Sequence, residues 1–183
     1  MLVSFTGAQS SGKTTLLSKA KVDPTFRKWN FVPEVTRVVK RKGLNINEHG
    51  DNITQLFIFA EHLNNHHNIH DTVLDRCIVD GVVYTQYLHD IGHVEPWVVD
   101  YGQNLMKCLL DRLDIIFYTE PNIPLVDDGE RSVNIDFRND IINIFEQTLS
   151  RSDIKHKVVR LTGDVDTRYN QFIKTIENHD TTR

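Results

Sequence analysis

Short apolar runs alternate along this chain with longer segments in which apolar residues recur every three or four positions. The short runs predict β-strands at residues 2–6, 30–34, 72–75, 114–119 and 157–162. The longer segments predict helices at 13–20, 35–42, 53–63, 81–91, 97–112, 136–149 and 165–177. Strands that alternate with helices favour a parallel sheet covered on both faces. The sequence therefore predicts a three-layer α/β fold around a parallel five-stranded sheet.

The helix between the second and third predicted strands carries an apolar stripe. The stripe consists of residues at helical spacing, namely Ile53, Leu56, Phe57, Ala60 and Leu63. One-sided apolar spacing is typical of a helix that packs on a core. We expect this stripe to be buried.

Composition describes an ordinary globular protein. The 183 residues are 39% hydrophobic and 25% charged, which suits a single domain spanning 1–183. The formal net charge of −4 argues against a domain that coats nucleic acid through bulk positive charge. Cys77 and Cys108 have no metal or redox spacing, and no apolar run is long enough for a membrane span. We expect a cytoplasmic protein that makes no membrane contact; its oligomeric state stays open, with a homodimer as one alternative.

The segment "GAQSSGKT" follows the first predicted strand and precedes a helix. It fits the phosphate-loop pattern G-x-x-x-x-G-K-[ST], in which glycines let successive backbone N–H groups surround phosphates. Lys13 is expected to reach the terminal phosphates and the Thr14 hydroxyl to hold Mg²⁺, so ATP and Mg²⁺ are the predicted cofactors. A turn that merely caps a helix with Ser10 or Ser11 is the plainer alternative. The predicted nucleotide-binding residues are Gly7, Ala8, Gln9, Ser10, Ser11, Gly12, Lys13, Thr14 and Thr15.

Acidic and basic residues follow two other predicted strands. Glu34 ends the second strand, and Asp75 and Arg76 end the third. Ligands of doubly wound sheets lie beyond the carboxyl ends of the strands, so these side chains are candidates for catalysis. A small kinase and a nucleotide-hydrolysing switch both fit the loop. The chain has no N-K-x-D-like guanine motif, which disfavours a GTPase switch.

The Asp75–Arg76 pair resembles the Asp-Arg or Glu-Arg signature of thymidylate kinases and deoxynucleoside kinases. The resemblance implies that Arg76 handles phosphates and that Asp75 helps with the acceptor or the metal. Glu34 resembles the position of the catalytic base in deoxynucleoside kinases. Which of Glu34 and Asp75 is the base stays open, and a solvated pair at a strand end is the plainer reading.

Three longer segments are similar to the kinase domain of bacterial ribosylnicotinamide kinases and of related ATPase-like kinases common in phages. They are "PEVTRVVKRKGL", "DRCIVDGVVYTQYL" and "NIPLVDDGERS", and the likeness covers almost the whole chain in order. In that family a segment resembling P-x-x-x-D-G-x-R begins a lid over the phosphates. The resemblance implies a lid at about 120–137 and, because no adenylyltransferase domain precedes Gly7, a lone kinase domain.

Two arginines of the lid region are candidates for transition-state contacts. Arg131 would act when the lid closes, and Arg138 would bind substrate. The alternative for either is a surface ion pair with Asp127, Asp128 or Glu130, which contributes little.

The acceptor side is assigned to residues that follow the second and third strands. Arg37 would share a helix face with Glu34, and a solvated pair is the alternative. Asp80 and Tyr84 would line the acceptor pocket, Tyr84 by stacking on a base, although burial in the ordinary core is the plainer reading of the tyrosine. The basic run 40–42 is either a solvated face or the path of a DNA acceptor.

Together these features predict ATP- and Mg²⁺-dependent phosphoryl transfer to a nucleoside, nucleotide or similar small acceptor. Asp75–Arg76 favours deoxynucleotides, "PLVDDGERS" favours ribosylnicotinamide, and a hydroxylated base within DNA is less favoured. A non-kinase NTPase coupled to a partner is the alternative class. His62, His66 and His70 recur every four residues and raise the question of a metal, but an exposed polar helix face explains them more simply.

Overall fold

The computed structural model describes residues 1–67, 70–122 and 134–180. Within these ranges the parallel strands are β1 (Leu2–Thr6), β2 (Asn30–Val32), β3 (Thr72–Asp75), β4 (Ile115–Thr119) and β5 (Val158–Leu161). They form one sheet in the order β2-β3-β1-β4-β5. The helices are α1 (Lys13–Val22), α2 (Val35–Arg41), α3 (Asn52–Asn65), α4 (Ile78–Asp90), α5 (Pro96–Leu110), α6 (Ile135–Leu149) and α7 (Val165–Asp180). The predicted α/β fold is confirmed.

Each face of the sheet is buried under helices. Val3 and Phe5 of β1 point to the layer of α1 and α7, where the Phe5 ring lies 4.9 Å from that of Phe172. Ile116 and Tyr118 of β4 point to the opposite layer of α4, α5 and α6. Burial on both faces explains why the strands are nearly continuous apolar runs.

The strand order places three functional segments at one edge of the sheet. β3 lies between β1 and β2, so the loop after β1, Glu34 after β2 and the Asp75–Arg76 pair share the same carboxyl edge. This is where doubly wound sheets bind ligands. None of the described helices is both long and apolar enough to cross a membrane.

The prediction of a buried apolar stripe on α3 is wrong. Ile53, Phe57, Ala60 and Leu63 are exposed and Leu56 is half-buried. The helix instead buries the face that consists of Thr54, Gln55, Ile58, Phe59 and His62. Close packing fixes this rotation, because a Cβ at Gly102 of α5 would lie 2.3 Å from the ring of Phe59. The polar members of the buried face border a cavity described below.

Candidate active site

The loop between β1 and α1 has the backbone of an anion site. Gly7 (φ 133°), Ser10 (φ 55°) and Gly12 (φ 89°) have positive φ, and α1 begins directly afterwards. Gly7 also packs on β4, because a Cβ there would lie 2.9 Å from the carbonyl oxygen of Thr119. The first glycine of the motif is therefore required by both conformation and space.

Lys13 lies folded over this loop. Its side chain is 6% exposed, and Nζ donates to the carbonyl oxygens of Gly7 (2.8 Å) and Ala8 (2.7 Å) and to Ser11 Oγ (3.0 Å). Burial, and then the nearby charge of Arg76, lower the pKa of Lys13 to about 7. A bound phosphate would favour the charged ammonium, so the site is arranged for an anion.

The cavity above the loop measures about 470 Å³ with its open solvent included. We call it the donor cavity. Its lining residues are Gln9, Ser10, Ser11, Gly12, Lys13, Thr14, Thr15, Glu34, Asp75 and Arg76. Two of the predicted nucleotide-binding residues, Gly7 and Ala8, are not part of this lining. Their carbonyl oxygens accept hydrogen bonds from Lys13.

Arg76 connects the loop to the other strand ends. Its backbone has φ 76°, a conformation that is uncommon for a residue with a side chain and that concentrates at functional sites. Nε donates to Glu34 Oε1 (2.5 Å), and Nη1 donates to Asp80 Oδ1 (3.0 Å) and the Gly7 carbonyl oxygen (3.2 Å). Asp80 also accepts bonds from the Thr6 hydroxyl and the Cys77 amide. Asp80, predicted to bind the acceptor, is thus occupied in holding Arg76.

The two candidate acids have opposite pKa shifts. Burial raises the pKa of Glu34, but the charges of Arg76 and Lys13 outweigh it and hold the value at about 2. Burial, and then repulsion from Glu34, raise the pKa of Asp75 to about 6. Glu34 is therefore always ionised near neutral pH, whereas Asp75 lacks a full counter-charge and suits a cation.

Thr14 and Asp75 both line the donor cavity and offer hard oxygen atoms. Mg²⁺ in nucleotide enzymes typically takes one or two protein oxygen ligands and completes its shell with phosphates and water. No cluster of three or more acidic, cysteine or histidine ligands occurs among the described residues. The pair fits Mg²⁺ held together with a nucleotide rather than by the protein alone.

Two further cavities adjoin the donor cavity. The inner cavity, about 430 Å³, is lined by Glu34, Val35, Thr36, Asn47, Gln55, Ile58, His62, Arg76, Asp80, Gly81 and Tyr84. The cationic cavity, about 500 Å³, is lined by Gln9, Glu34, Thr36, Arg37, Lys40, Ile46, Asn47 and Arg76. Both volumes include open solvent. Glu34 and Arg76 border all three cavities, so the three spaces meet at this ion pair.

Tyr84 lines the inner cavity, and its contact with an acceptor stays a prediction. Its ring faces the guanidinium of Arg76 at 5.4 Å, and its hydroxyl donates to Gln9 Oε1 (3.2 Å). Gln55 lines the same cavity and was missed, because a glutamine within an apolar helix pattern gives no local signal. Thr85 Oγ1 donates to Gln55 Oε1 (2.9 Å) and so fixes the amide.

The predicted lid lies largely outside the described residues, and so does Arg131. Arg138, at the start of α6, donates from Nη2 to the carbonyl oxygen of Pro121 (3.0 Å). It is not among the residues that line the three cavities. Its substrate role remains a prediction.

Arg168 is a contributor that sequence reasoning missed. The side chain is 2% exposed and donates from Nη1 to the carbonyl oxygen of Ser11 (2.8 Å) and from Nε to that of Gly163 (2.8 Å). Nη2 donates to the carbonyl oxygen of Glu120 (3.1 Å) and to Asn122 Oδ1. Arg168 therefore fastens the phosphate loop to the segments after β4 and β5.

The prediction of an exposed polar face for His62, His66 and His70 is wrong for the first two, while His70 is exposed. His62 and His66 are buried, and His66 bonds through Nδ1 to the His62 carbonyl oxygen (2.7 Å). Its Nε2 accepts from the Ile78 amide (3.5 Å) at the start of α4, which requires a neutral ring. Of the described histidines, His62 alone lines one of the three cavities.

His66 makes stability depend on pH. Burial lowers its pKa to about 4, whereas a histidine in the unfolded chain titrates near ~6.5. Between these values the unfolded chain binds a proton that the folded chain does not, so stability falls as pH falls. We expect wild type to lose about 2 kcal/mol more than His66→Gln between pH 7 and pH 5. Urea unfolding at both pH values measures this, with the exposed His93→Gln as control. Equal losses in wild type and His66→Gln contradict it.

Comparison with known proteins agrees with this geometry. A family model described as an AAA domain matches residues 2–168. No curated protein matches the chain by sequence. Among solved structures, NadR in complex with NR has a TM-score of 0.76 and 19% identity over 97% of this chain and 50% of its own. This chain thus spans about half the length of NadR.

Two kinases match over most of their own length. Deoxyadenosine kinase from M. mycoides, solved with dCMP and dCDP, has a TM-score of 0.69 and 12% identity over 97% of this chain and 99% of its own. Thymidylate kinase from Candida albicans has a TM-score of 0.64 and 17% identity over 100% of this chain and 93% of its own. At such identities the likeness establishes the fold, which is that of P-loop kinases.

Proposed function

This chain belongs to the AAA-domain family, and from that membership and the three adjoining cavities we propose that it is a P-loop kinase. It transfers the γ-phosphoryl group of ATP, with Mg²⁺, to a nucleoside, nucleotide or related small acceptor. The observation that carries the proposal is the meeting of the donor cavity with two further cavities at Glu34 and Arg76. Transfer between two small molecules needs such adjoining sites, because it depends on holding both in line.

Each residue around the three cavities has its own proposed role. Lys13 and the loop amides bind the phosphates, and Lys13 neutralises charge on the oxygens of the transferred group. Thr14 and Asp75 would hold Mg²⁺, which would supply positive charge to the bound phosphates. Glu34 and Arg76 face the acceptor, where Glu34 would take the proton of a hydroxyl acceptor. Arg131 is proposed to join them from the lid.

Two acceptor types have specific support. NadR, the structural neighbour in complex with NR, favours ribosylnicotinamide. The deoxyadenosine kinase and thymidylate kinase neighbours favour deoxynucleosides or their phosphates. A DNA acceptor has weaker support. Of the basic residues 40–42, Lys40 alone lines one of the three cavities.

Consumption of ATP should depend on the acceptor. We expect ADP formation to rise at least roughly tenfold when the right acceptor is added, because a closed site keeps water from the γ-phosphate. The measurement uses γ-labelled ATP with nucleosides, nucleotides, ribosylnicotinamide and oligonucleotides, and follows both ADP and labelled product. Rapid ATP hydrolysis that no acceptor changes would instead support the partner-coupled NTPase.

A further inference from the structure

The cationic cavity contains two positive charges that the protein leaves uncompensated. Arg37 and Lys40 are three residues apart on α2, so their side chains project from one face of the helix into the same space. Both are exposed. Within residues 1–67, 70–122 and 134–180, neither side chain has a hydrogen-bond or ion-pair partner. Arg76, by contrast, is already bonded to Glu34 and Asp80.

A buried hydrogen-bond donor, the side-chain amide of Gln9, borders the cationic cavity. Gln9 is 6% exposed and lines both the donor cavity and the cationic cavity. Its Oε1 accepts from the Tyr84 hydroxyl, which leaves Nε2 as the free end of the amide. Nε2 is buried and has no partner among the described residues. A buried donor without an acceptor is costly, so its natural partner is an oxygen of a ligand.

From these groups we propose that the acceptor carries its own phosphate, so that the substrate is a nucleoside monophosphate rather than a nucleoside. The proposal rests on the kinase function proposed above. The charges of Arg76 and Glu34 cancel, which leaves those of Arg37 and Lys40. A phosphomonoester carries about −1.5 to −2 charges near neutral pH and offsets both, whereas a nucleoside hydroxyl offsets neither.

The state of Glu34 agrees with a phosphate acceptor. A hydroxyl acceptor needs a general base whose pKa lies near the working pH. Glu34 is bonded to Arg76 and has a pKa of about 2, which makes it a weak proton acceptor. A phosphate oxygen is already ionised and needs no base. It forms the new bond to the γ-phosphorus while the bond to the bridging oxygen breaks and its electron pair leaves with ADP.

The inner cavity is then the place for the base and sugar. It adjoins the cationic cavity through Thr36 and Asn47, and Ile58 and Tyr84 give it apolar walls. The phosphate lies between this cavity and the donor loop, within reach of Gln9.

The test compares matched pairs of acceptors. The four deoxynucleosides and ribosylnicotinamide are each measured against their 5′-monophosphates with ATP and Mg²⁺. We expect one monophosphate to exceed its nucleoside at least roughly 100-fold in kcat/KM, since charge-assisted contacts are the strong ones. Arg37→Gln should raise the KM for that monophosphate roughly 10- to 100-fold and leave the KM for ATP unchanged. Gln9→Glu, which places a negative charge beside the phosphate, should raise the same KM.

Arg41→Gln is the matched control. Arg41 has the same charge on the same helix but lines none of the three cavities, so its kinetics should equal those of wild type. Transfer to nucleosides without transfer to monophosphates overturns the inference and leaves the proposed function intact. An unchanged monophosphate KM in Arg37→Gln also overturns it. Acceptor-independent hydrolysis of ATP, with no transfer to any acceptor, removes the proposed function itself.

Discussion

Replacing Lys13 with Met is expected to lower kcat/KM at least roughly 10³-fold, because the ammonium stabilises the charge of the transferred phosphoryl group. The same change should not lower the melting temperature of the free protein. Lys13 is buried against the loop and its pKa is lowered to about 7, so keeping it charged costs stability there. Removing the charge relieves that cost and offsets the three lost hydrogen bonds. Turnover and melting temperature, with and without MgATP, measure both effects.

Lys21→Met is the control for this variant. Lys21 lies on the same helix, is exposed and lines none of the three cavities, so its substitution should leave turnover and the MgATP-induced rise in melting temperature unchanged. Lys13→Met should lose that rise. Near-normal turnover in Lys13→Met, or a protein that no longer folds, contradicts the assignment.

The second large effect separates the two acids. Glu34→Gln should lower kcat by roughly 10² or more at every Mg²⁺ concentration, since Glu34 faces the acceptor and holds the Arg76 guanidinium in position, and small misplacements of such a group are costly. Asp75→Asn should instead raise the Mg²⁺ concentration needed for half-maximal rate. Because the pKa of Asp75 is raised to about 6, the wild-type Mg²⁺ requirement should increase as pH falls through 6. Asp75→Asn should lose that pH dependence.

Titration of Mg²⁺ against rate at pH 5.5 and pH 7.5 decides between the assignments. If added Mg²⁺ rescues Glu34→Gln and leaves Asp75→Asn inactive, the two roles are reversed. If both variants keep wild-type activity, the acceptor binds elsewhere and the kinase proposal loses its acceptor site.

What could be predicted from the sequence was local. The phosphate loop is a contiguous motif with fixed spacing, and five apolar runs marked the strands to within a few residues of their ends. The carboxyl-edge positions of Glu34 and Asp75 followed from the parallel sheet alone. Their opposite pKa shifts did not, because they depend on burial and on charges brought together from distant parts of the chain, such as Arg76 and Glu34, which are 42 positions apart.

The error on α3 occurred where a cavity overrides the usual pattern. On α3 the buried face is polar at Gln55 and His62 because it borders the inner cavity, while apolar Phe57 faces outward. A prediction from hydrophobic spacing assumes that the buried face of a helix is the apolar one. Where the buried face is polar, the prediction assigns the wrong face to the core. The contact of Arg168 with the phosphate loop could not be predicted, since its bond to Ser11 spans 157 residues.

The order of the strands also has a consequence for synthesis on the ribosome. β1, the first strand to be made, is central in the sheet, and its partners β3 and β4 are made much later. At a synthesis rate of roughly 5–20 residues per second, β4 is completed about 6 to 23 seconds after β1. The contact of the phosphate loop with Arg168 forms later still, because Arg168 is translated 157 residues after Ser11. During that interval a nascent chain carries the complete phosphate-loop motif without the tertiary contacts that hold the loop in shape.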